Sequence, residues 1–376
     1  MITGTGTLPR PTTWVQKQGS QLVLDGAPFR MVGPNIYWLC NDENVGLPKG
    51  RPTAKQRVRE ALAIAVAMGA NTVRLTSCGV SVGHPWAVEP KQGQFNETNF
   101  QQVDYVLYAA REYGLRVILP LTDNFNFYHG GKFTFLYWLA LSWDNNGSAF
   151  FTQSSAIDAF KLYINRMMTR VNRFTGVAYK DDPTIMMWET GNELGAWHNM
   201  EGFPPAAWTS EITSYMKSLS PNSLIVDGSF GLYNEKVANL ISPGLSIPSV
   251  DAVTDHIYPR NISYLRPDLP LALNHSKVVF LGEYDWTNSF GGDSFSSWLS
   301  FVENSSFAGA LMWQIQGHDS KCCAFVSHSD GYSLEYPNGS SGSASNVLQM
   351  VQFNYRITGR PVPATLPGVA CPQLVF

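Results

Sequence analysis

The chain has 376 residues, 44% of them apolar and only 15% charged, with a formal net charge of −3. That is material for one large α/β barrel or two ordinary domains, and so weak a charge leaves no electrostatic footprint for nucleic acid or anionic lipid. No run of about 18 apolar residues occurs, so no segment is expected to span a membrane.

The first residues, "MITGTGTLPRPTTW", combine no charged n-region with an apolar h-region. Secretion is the expected location, with the signal peptide absent from this chain. Six N-x-S/T sequons, at Asn96, Asn146, Asn261, Asn274, Asn304 and Asn338, lend that expectation weak support. Next, "WVQKQGSQLVLDGAPF" reads as a hairpin turning at "DG", placed to cap the bottom of a barrel.

Eight short β-branched or bulky apolar runs follow. They are "FRMVGPN" (29–35), "NTVRLT" (71–76), "RVILPL" (116–121), "TIMMWE" (184–189), "SLIVDG" (223–228), "AVTDHIY" (252–258), "VVFLGEYD" (278–285) and "GALMWQI" (309–315). Between them lie stretches with apolar residues three and four apart, such as "TAKQRVREALAIAVAMG" and "AIDAFKLYINRMMTRVNRF", and "SNVLQMVQFNYRI" closes the series. The segment "NISYLRPDLPLALNHS" carries two prolines and reads poorly as a helix. "PNGSSGSAS" (337–345) reads as a flexible loop.

This alternation implies a (β/α)8 barrel, a single domain over 1–376 with its core at about 23–357. An open doubly wound sheet is the competing fold. It usually shows a Gly-rich phosphate loop after its first strand, and "GPNIYWLCN" is not one.

Barrel chemistry sits at the C-terminal strand ends. In order these ends supply Asn35, Arg74, Asp123 and Asn124, Asn192 and Glu193, His256 and Tyr258, Glu283, and Trp313. Individually each has an ordinary explanation. Arg74 could be a buried ion pair, Asn192 a turn residue, His256 a satisfied core histidine and Trp313 plain core. Glu189, mid-strand, reads as a partner in a structural network. Together they describe a site, with Glu193 and Glu283 facing one another from strands four and seven. Retaining glycosidases need such a pair about 5–5.5 Å apart, one carboxylate as nucleophile and the other as acid and then base. A 13% share of aromatics, including 11 Trp, fits a cleft with the flat apolar walls that sugar rings prefer.

"IMMWETGNE" is similar to the W-E-x-x-N-E signature of glycoside hydrolase family 5 and its clan. "RVNRFTGVAYKDDPTIMMWETGNE", "PWAVEPKQGQFNE", "LPLTDNFNFYHGG", "MWQIQG" and "SDGYSLEYPNGSSGSASNV" resemble its mannan-active branch, from about Val23 to Ile357. The resemblance implies Glu193 as acid/base and Glu283 as nucleophile, with Arg74 and Tyr258 supporting the latter. Asn192 would hold the 2-hydroxyl of the sugar whose bond breaks, His256 would lie near the acid/base, Trp313 would floor that subsite, and Asn124 would help line the cleft. It also implies a cis peptide after Trp313 and action on β-mannan or manno-oligosaccharides; no cofactor, no metal and a monomer are expected.

The chain departs from the branch where Leu194-Gly195 follow Glu193, where Asp123-Asn124-Phe125 follow strand three, and in a longer loop after strand eight. Those departures keep endo-β-mannanase and exo-β-mannosidase action both open. A β-glucan hydrolase and a non-catalytic carbohydrate-binding barrel are the alternatives.

Five cysteines allow at most two intrachain bridges. Cys40 and Cys78 follow neighbouring strands, which makes them the expected pair. His318, Cys322, Cys323 and His328 could ligate zinc, but their spacing fits no standard site and disulfides are the favoured reading.

Overall fold

All eight predicted strands form in the computed structural model, which describes residues 8–42, 51–75, 78–80, 86–126, 130–195, 202–234, 240–318, 325–326, 328–337 and 344–369. They are β1 (Met31–Pro34), β2 (Thr72–Arg74), β3 (Arg116–Pro120), β4 (Ile185–Glu189), β5 (Leu224–Asp227), β6 (Ala252–Ile257), β7 (Val278–Asp285) and β8 (Gly309–Trp313). They pair in parallel in the order β1-β8-β7-β6-β5-β4-β3-β2. A bridge between Asn35 and Arg74 and the bond from Ile36 N–H to the Arg74 carbonyl, 2.9 Å, close β1 onto β2. Closure removes both sheet edges, so buried strand backbone finds partners all round.

The strands are apolar almost throughout because both their faces are covered, by helices outside and side chains within. The helices α1 (Lys55–Ala67), α2 (Glu97–Glu112), α3 (Ser154–Met168), α4 (Ala206–Leu219), α5 (Asp268–Asn274), α6 (Phe295–Glu303) and α7 (Ala344–Ile357) supply the outer layer. Local chemistry sets their starts. Asn96 caps α2 by accepting from the Thr98 and Asn99 N–H groups, and Ser294 caps α6 through the Ser297 N–H.

Two expectations need correction. The segment after β6 is helical, as a short turn Ile262–Leu265 and then α5. Its prolines do no harm because Pro267 is the N-cap of α5 and Pro270 lies in the first turn, where backbone N–H groups lack helical partners anyway. The N-terminal hairpin is in fact a three-stranded antiparallel meander of Gln16–Gln18, Gln21–Leu24 and Ala27–Phe29. Asp25 and Gly26 make the anticipated tight turn with φ of 51° and 81°, and Gly19-Ser20 supplies a second turn.

The meander does cap the barrel bottom. Val15 and Leu22 join Met31, Ile118, Met187, Val226, Phe280 and Leu311 in an apolar plug inside the lower barrel. Above the plug the interior turns polar, with Asn35, Arg74 and Glu189 all buried. Cys40 and Cys78 are bridged, with their Cα atoms 5.5 Å apart, tying the β1 and β2 loops together. Cys322, Cys323, Cys371 and most of the 337–345 loop lie outside the described residues. His318 pairs with Glu60 and His328 with Tyr37, so two of the four zinc candidates have other partners. No described helix is long and apolar enough to cross a membrane.

Replacing Leu22 with Ala should open a cavity under the plug and cost about 2–4 kcal/mol. Urea denaturation checks this through a lower midpoint at unchanged slope. An unmoved midpoint would show that the meander adds nothing to the core.

Candidate active site

Arg74 stands at the centre of the upper barrel, fully buried, on the short strand β2. Its Nε and Nη2 donate to the two Glu189 carboxylate oxygens at 2.9 and 2.8 Å, a fork-on-fork pair. Nη1 donates to Glu283 Oε1 at 2.9 Å and to Asn35 Oδ1 at 3.1 Å, while Nη2 also reaches Asn192 Oδ1 at 2.8 Å. Burial pulls its pKa down, but the carboxylates of Glu189 and Glu283 more than offset that and it remains a cation. Glu189, which ends β4 and does not lie mid-strand, is the network partner expected of it.

Glu283 holds two donors, Arg74 on Oε1 and the Tyr258 hydroxyl on Oε2 at 2.8 Å. Glu193 sits differently. It has a left-handed φ of 56°, an uncommon conformation for a residue with a side chain, and accepts no bond from Arg74 among those formed. Its Oε1 is 2.7 Å from His256 Nδ1. Burial pushes Glu193 up to about 7, opposed by Arg74 and assisted by Glu189 and Asp255. Glu283 is also raised by burial, with His256, Arg74 and the Tyr258 bond pulling it back and the Glu193 charge adding to the rise. The two carboxyls thus share a burial cost, and only one is held by direct cationic and hydroxyl donors.

His256 lies between them, its Nδ1 3.5 Å from Glu283 Oε1. Burial lowers it to about 4, so the imidazole is neutral and carries one N–H and one lone pair. Its contact to Glu193 therefore serves either protonation state of that carboxyl. The preceding residue of β7 makes room for the ring, because a Cβ on Gly282 would come within 2.6 Å of His256 Nε2 and 2.4 Å of Thr254 Oγ1. Register shifts at Asp255/His256 and between Leu281 and Tyr284 re-aim the two strand ends towards the mouth.

Ligand atoms of Glu193, His256 and Glu283 all fall within 4.8 Å of one another, an arrangement that could hold a metal ion. The Arg74 guanidinium already sits 2.9 Å from Glu283 and fills the role of the counter-cation. The trio reads better as a close carboxyl pair with a neutral imidazole between its members.

Of the other sequence-predicted residues, Asn192 joins the network of this pair through Arg74, and Trp313 and Asn124 make their side-chain contacts elsewhere. Asn192 is oriented by accepting from Arg74 and donating to Asp123 Oδ1 at 3.3 Å. Trp313 is half-buried, stacks on Tyr37 with ring centroids 5.6 Å apart, and donates from Nε1 to Asp330 at 2.9 Å. The Trp313–Gln314 peptide is cis, as expected. Asn124 binds the Asn192 carbonyl through its backbone N–H, and its buried side chain meets Asn146 at 3.4 Å. Asp123, one residue earlier, is the strand-three side chain that touches Asn192. Alternation along the chain decides which of the adjacent pair faces inward, and the bend after β3 makes that count unreliable in sequence. Asp330 was not anticipated as a site residue, lying in a loop with no periodicity to place it.

A family model described as GH family 5 beta-mannosidase-like matches residues 12–284. Among curated proteins, mannan endo-1,4-beta-mannosidase 1 of Oryza sativa subsp. japonica is 32% identical over 262 residues, covering 65% of this chain and 59% of that one. The match thus spans about six-tenths of that relative. Among solved structures, the endo-1,4-beta-mannanase from Rhizomucor miehei superposes with a TM-score of 0.72 at 24% identity, covering 90% and 99% of the two chains. The glycoside hydrolase family 5 mannosidase from the same organism gives 0.67 at 18%, covering 92% and 98%. At those identities the structures speak for the shared barrel fold.

Replacing Arg74 with Ala should cost about 3–5 kcal/mol, because Glu189 and Glu283 would be left buried without their cation. The loss should be smaller at pH 5 than at pH 8, since protonating the orphaned carboxyls relieves it and ionising them as pH rises restores it. Urea titrations at both pH values check this. Equal losses would mean that the two glutamates find other partners.

Proposed function

This chain belongs to the GH family 5 beta-mannosidase-like family, and on that premise we propose that it is a retaining glycoside hydrolase of β-1,4-mannosidic bonds. The observation that carries the reading is the carboxyl pair. Oxygens of Glu193 and Glu283 lie within 4.8 Å, close to the roughly 5 Å that a double displacement needs and too tight to leave room for an inverting water.

In the proposed reaction Glu283 attacks the anomeric carbon, and Glu193 protonates the departing glycosidic oxygen. A glycosyl-enzyme ester forms on Glu283. Glu193, now a carboxylate, takes a proton from water, which attacks the same carbon and frees Glu283 with net retention. Arg74 and Tyr258 hold the Glu283 oxygens in place, which orients the nucleophile and stabilises it as it leaves. Asn192, pinned by Arg74 and Asp123, presents its amide to the sugar 2-hydroxyl, a bond that strengthens as positive charge builds at the neighbouring carbon. Trp313 offers the flat face beneath that sugar. His256 keeps the proton of Glu193 in a defined position between the two half-reactions. Double displacement is complete with these side chains and calls for no cofactor. The charge pattern supports it: the acid needs a raised pKa and has one, while the nucleophile is the carboxyl with cationic and hydroxyl donors.

Substrate and mode follow the relatives. A curated relative is named a mannan endo-1,4-beta-mannosidase, which favours β-mannan cut internally. A mannosidase of the same family shares the fold, and chain-end release is the second mode to be distinguished. The Cys40–Cys78 bridge supports work outside the reducing cytosol, in agreement with the sequons. We take the chain to act as a single catalytic domain and a monomer.

A time course on mannopentaose labelled at the reducing end tests the assignment. Early mannobiose and mannotriose indicate internal cleavage, and stepwise loss of single mannose units indicates an exo enzyme. Glu193→Ala and Glu283→Ala should each lose at least a thousandfold in kcat on this unactivated substrate. Cleavage of cellulose or β-1,3-glucan with no action on mannan would move the enzyme to another substrate class.

The pH profile gives a second test. Rate should fall above pH about 7 as Glu193 loses the proton it must donate, and fall on the acid side as Glu283 is protonated. A profile flat through pH 8 would remove Glu193 from the role of acid.

A further inference from the structure

Asp330 belongs to no strand or helix, yet five groups converge on its carboxylate. Trp313 Nε1 donates to Oδ2 at 2.9 Å, and the Gln314 side-chain amide donates to the same oxygen at 3.3 Å. Oδ1 accepts from the Tyr332 N–H at 2.8 Å and from the Ser333 hydroxyl at 3.1 Å. His328 Nε2 stands 3.5 Å from Oδ2. Oδ1 is bound within its own loop, while Oδ2 reaches across to the end of β8 with His328 beside it.

The residue at that end is the half-buried Trp313, the flat face at the mouth of the barrel. Packing fixes one side of its indole, through Tyr37. Packing alone lets a flat ring slide and tilt on another flat ring. A hydrogen bond from the ring edge to a fixed acceptor removes that freedom, because Nε1–H has one direction and one good distance. An ionised acceptor makes the restraint stiffer than a neutral one. Burial raises the Asp330 pKa, but His328, the Tyr332 N–H and Trp313 together hold it below the usual carboxylate value, so the acceptor stays charged.

We propose that Asp330 is a positioning residue of this enzyme, acting through Trp313 to set the tilt of the platform beneath the sugar that reacts at Glu283. The inference rests on the retaining-glycosidase reading of the site and extends it to a residue outside the barrel strands. The same loop also carries Tyr332, whose ring packs edge-on against Tyr258, the hydroxyl donor to Glu283, with centroids 5.1 Å apart. Asp330 thereby anchors a loop that touches both the platform and the support of the nucleophile.

The substitution that isolates the platform is Asp330→Asn. Its carbonyl can still serve Tyr332 and Ser333, but its amide nitrogen would then face Trp313 and Gln314, two donors with nothing to accept them. Four proteins are compared on whichever β-linked oligosaccharide the unmodified enzyme cleaves: unmodified, Asp330→Asn, Trp313→Phe and the double variant. Phenylalanine retains a ring without the N–H. Asp330→Asn alone should lose roughly ten- to a hundredfold in kcat/KM, the scale expected when a reacting group is misplaced by about an ångström. In the Trp313→Phe background the same change should cost less than about threefold, since the interaction through which it acts is already gone.

Losses that multiply in the double variant would show that Asp330 serves only the loop, and wild-type kcat/KM in Asp330→Asn would show that the platform needs no anchor. Either result overturns the proposal. Should Asp330→Asn fail to fold, Asp330→Glu takes its place in the cycle, retaining the charge on a longer arm, with the same coupled loss expected and the same two outcomes against it. An unmodified protein inactive on all β-mannans and β-glucans would sink the glycosidase reading itself, a distinct result from activity with uncoupled losses.

Discussion

The upper barrel depends on one buried cation. Arg74 has no exposed surface, so its charge must be met from within the protein, and all five of its donors are directed at protein oxygens. Four residues meet that demand from three other strand ends, Asn35 beside β1, Glu189 and Asn192 at β4, and Glu283 on β7. A guanidinium is planar and rigid, so satisfying it also fixes where those side chains stand relative to each other. The stability of the barrel mouth and the placement of the proposed nucleophile and sugar ligand are consequences of the same requirement.

That requirement also separates the two carboxyls. Glu283 receives direct bonds from Arg74 and Tyr258, whereas Glu193 has His256 and a left-handed backbone that keeps it off the Arg74 fork. Burial raises both, and the difference in direct donors separates the proposed acid from the proposed nucleophile. Glu189 completes the charge balance below. Without it two of the bonds that Arg74 donates would lose their carboxylate acceptor.

Most of this arrangement was legible in the chain because it obeys a period. Buried parallel strands are short apolar runs, and barrel strands deliver chemistry at a fixed end, so Arg74, Glu193, His256, Tyr258, Glu283 and Trp313 could be named by position. Where the period stops, reading fails in specific ways. After β3 the chain bends, and the side chain that meets Asn192 is Asp123, while that of Asn124 meets Asn146. At the N-terminus a Gly-Ser turn yields a meander where one hairpin was expected, because the turn residues differ from the strong Asp-Gly signal beside it. In the segment after β6, prolines that argue against a helix interior turn out to occupy its beginning.

The sequence by itself determined the (β/α)8 architecture and the strand that leads to each carboxylate, and it favoured Cys40 with Cys78, because alternation and loop order are local or nearest-neighbour properties of the chain. Only the tertiary structure decided how Arg74 divides its donors, which of two adjacent loop residues faces Asn192, and that Asp330 reaches the Trp313 ring. Those are contacts between residues 17 to 209 positions apart. No spacing encodes them; they exist because the closed barrel brings the ends of its strands to one small mouth.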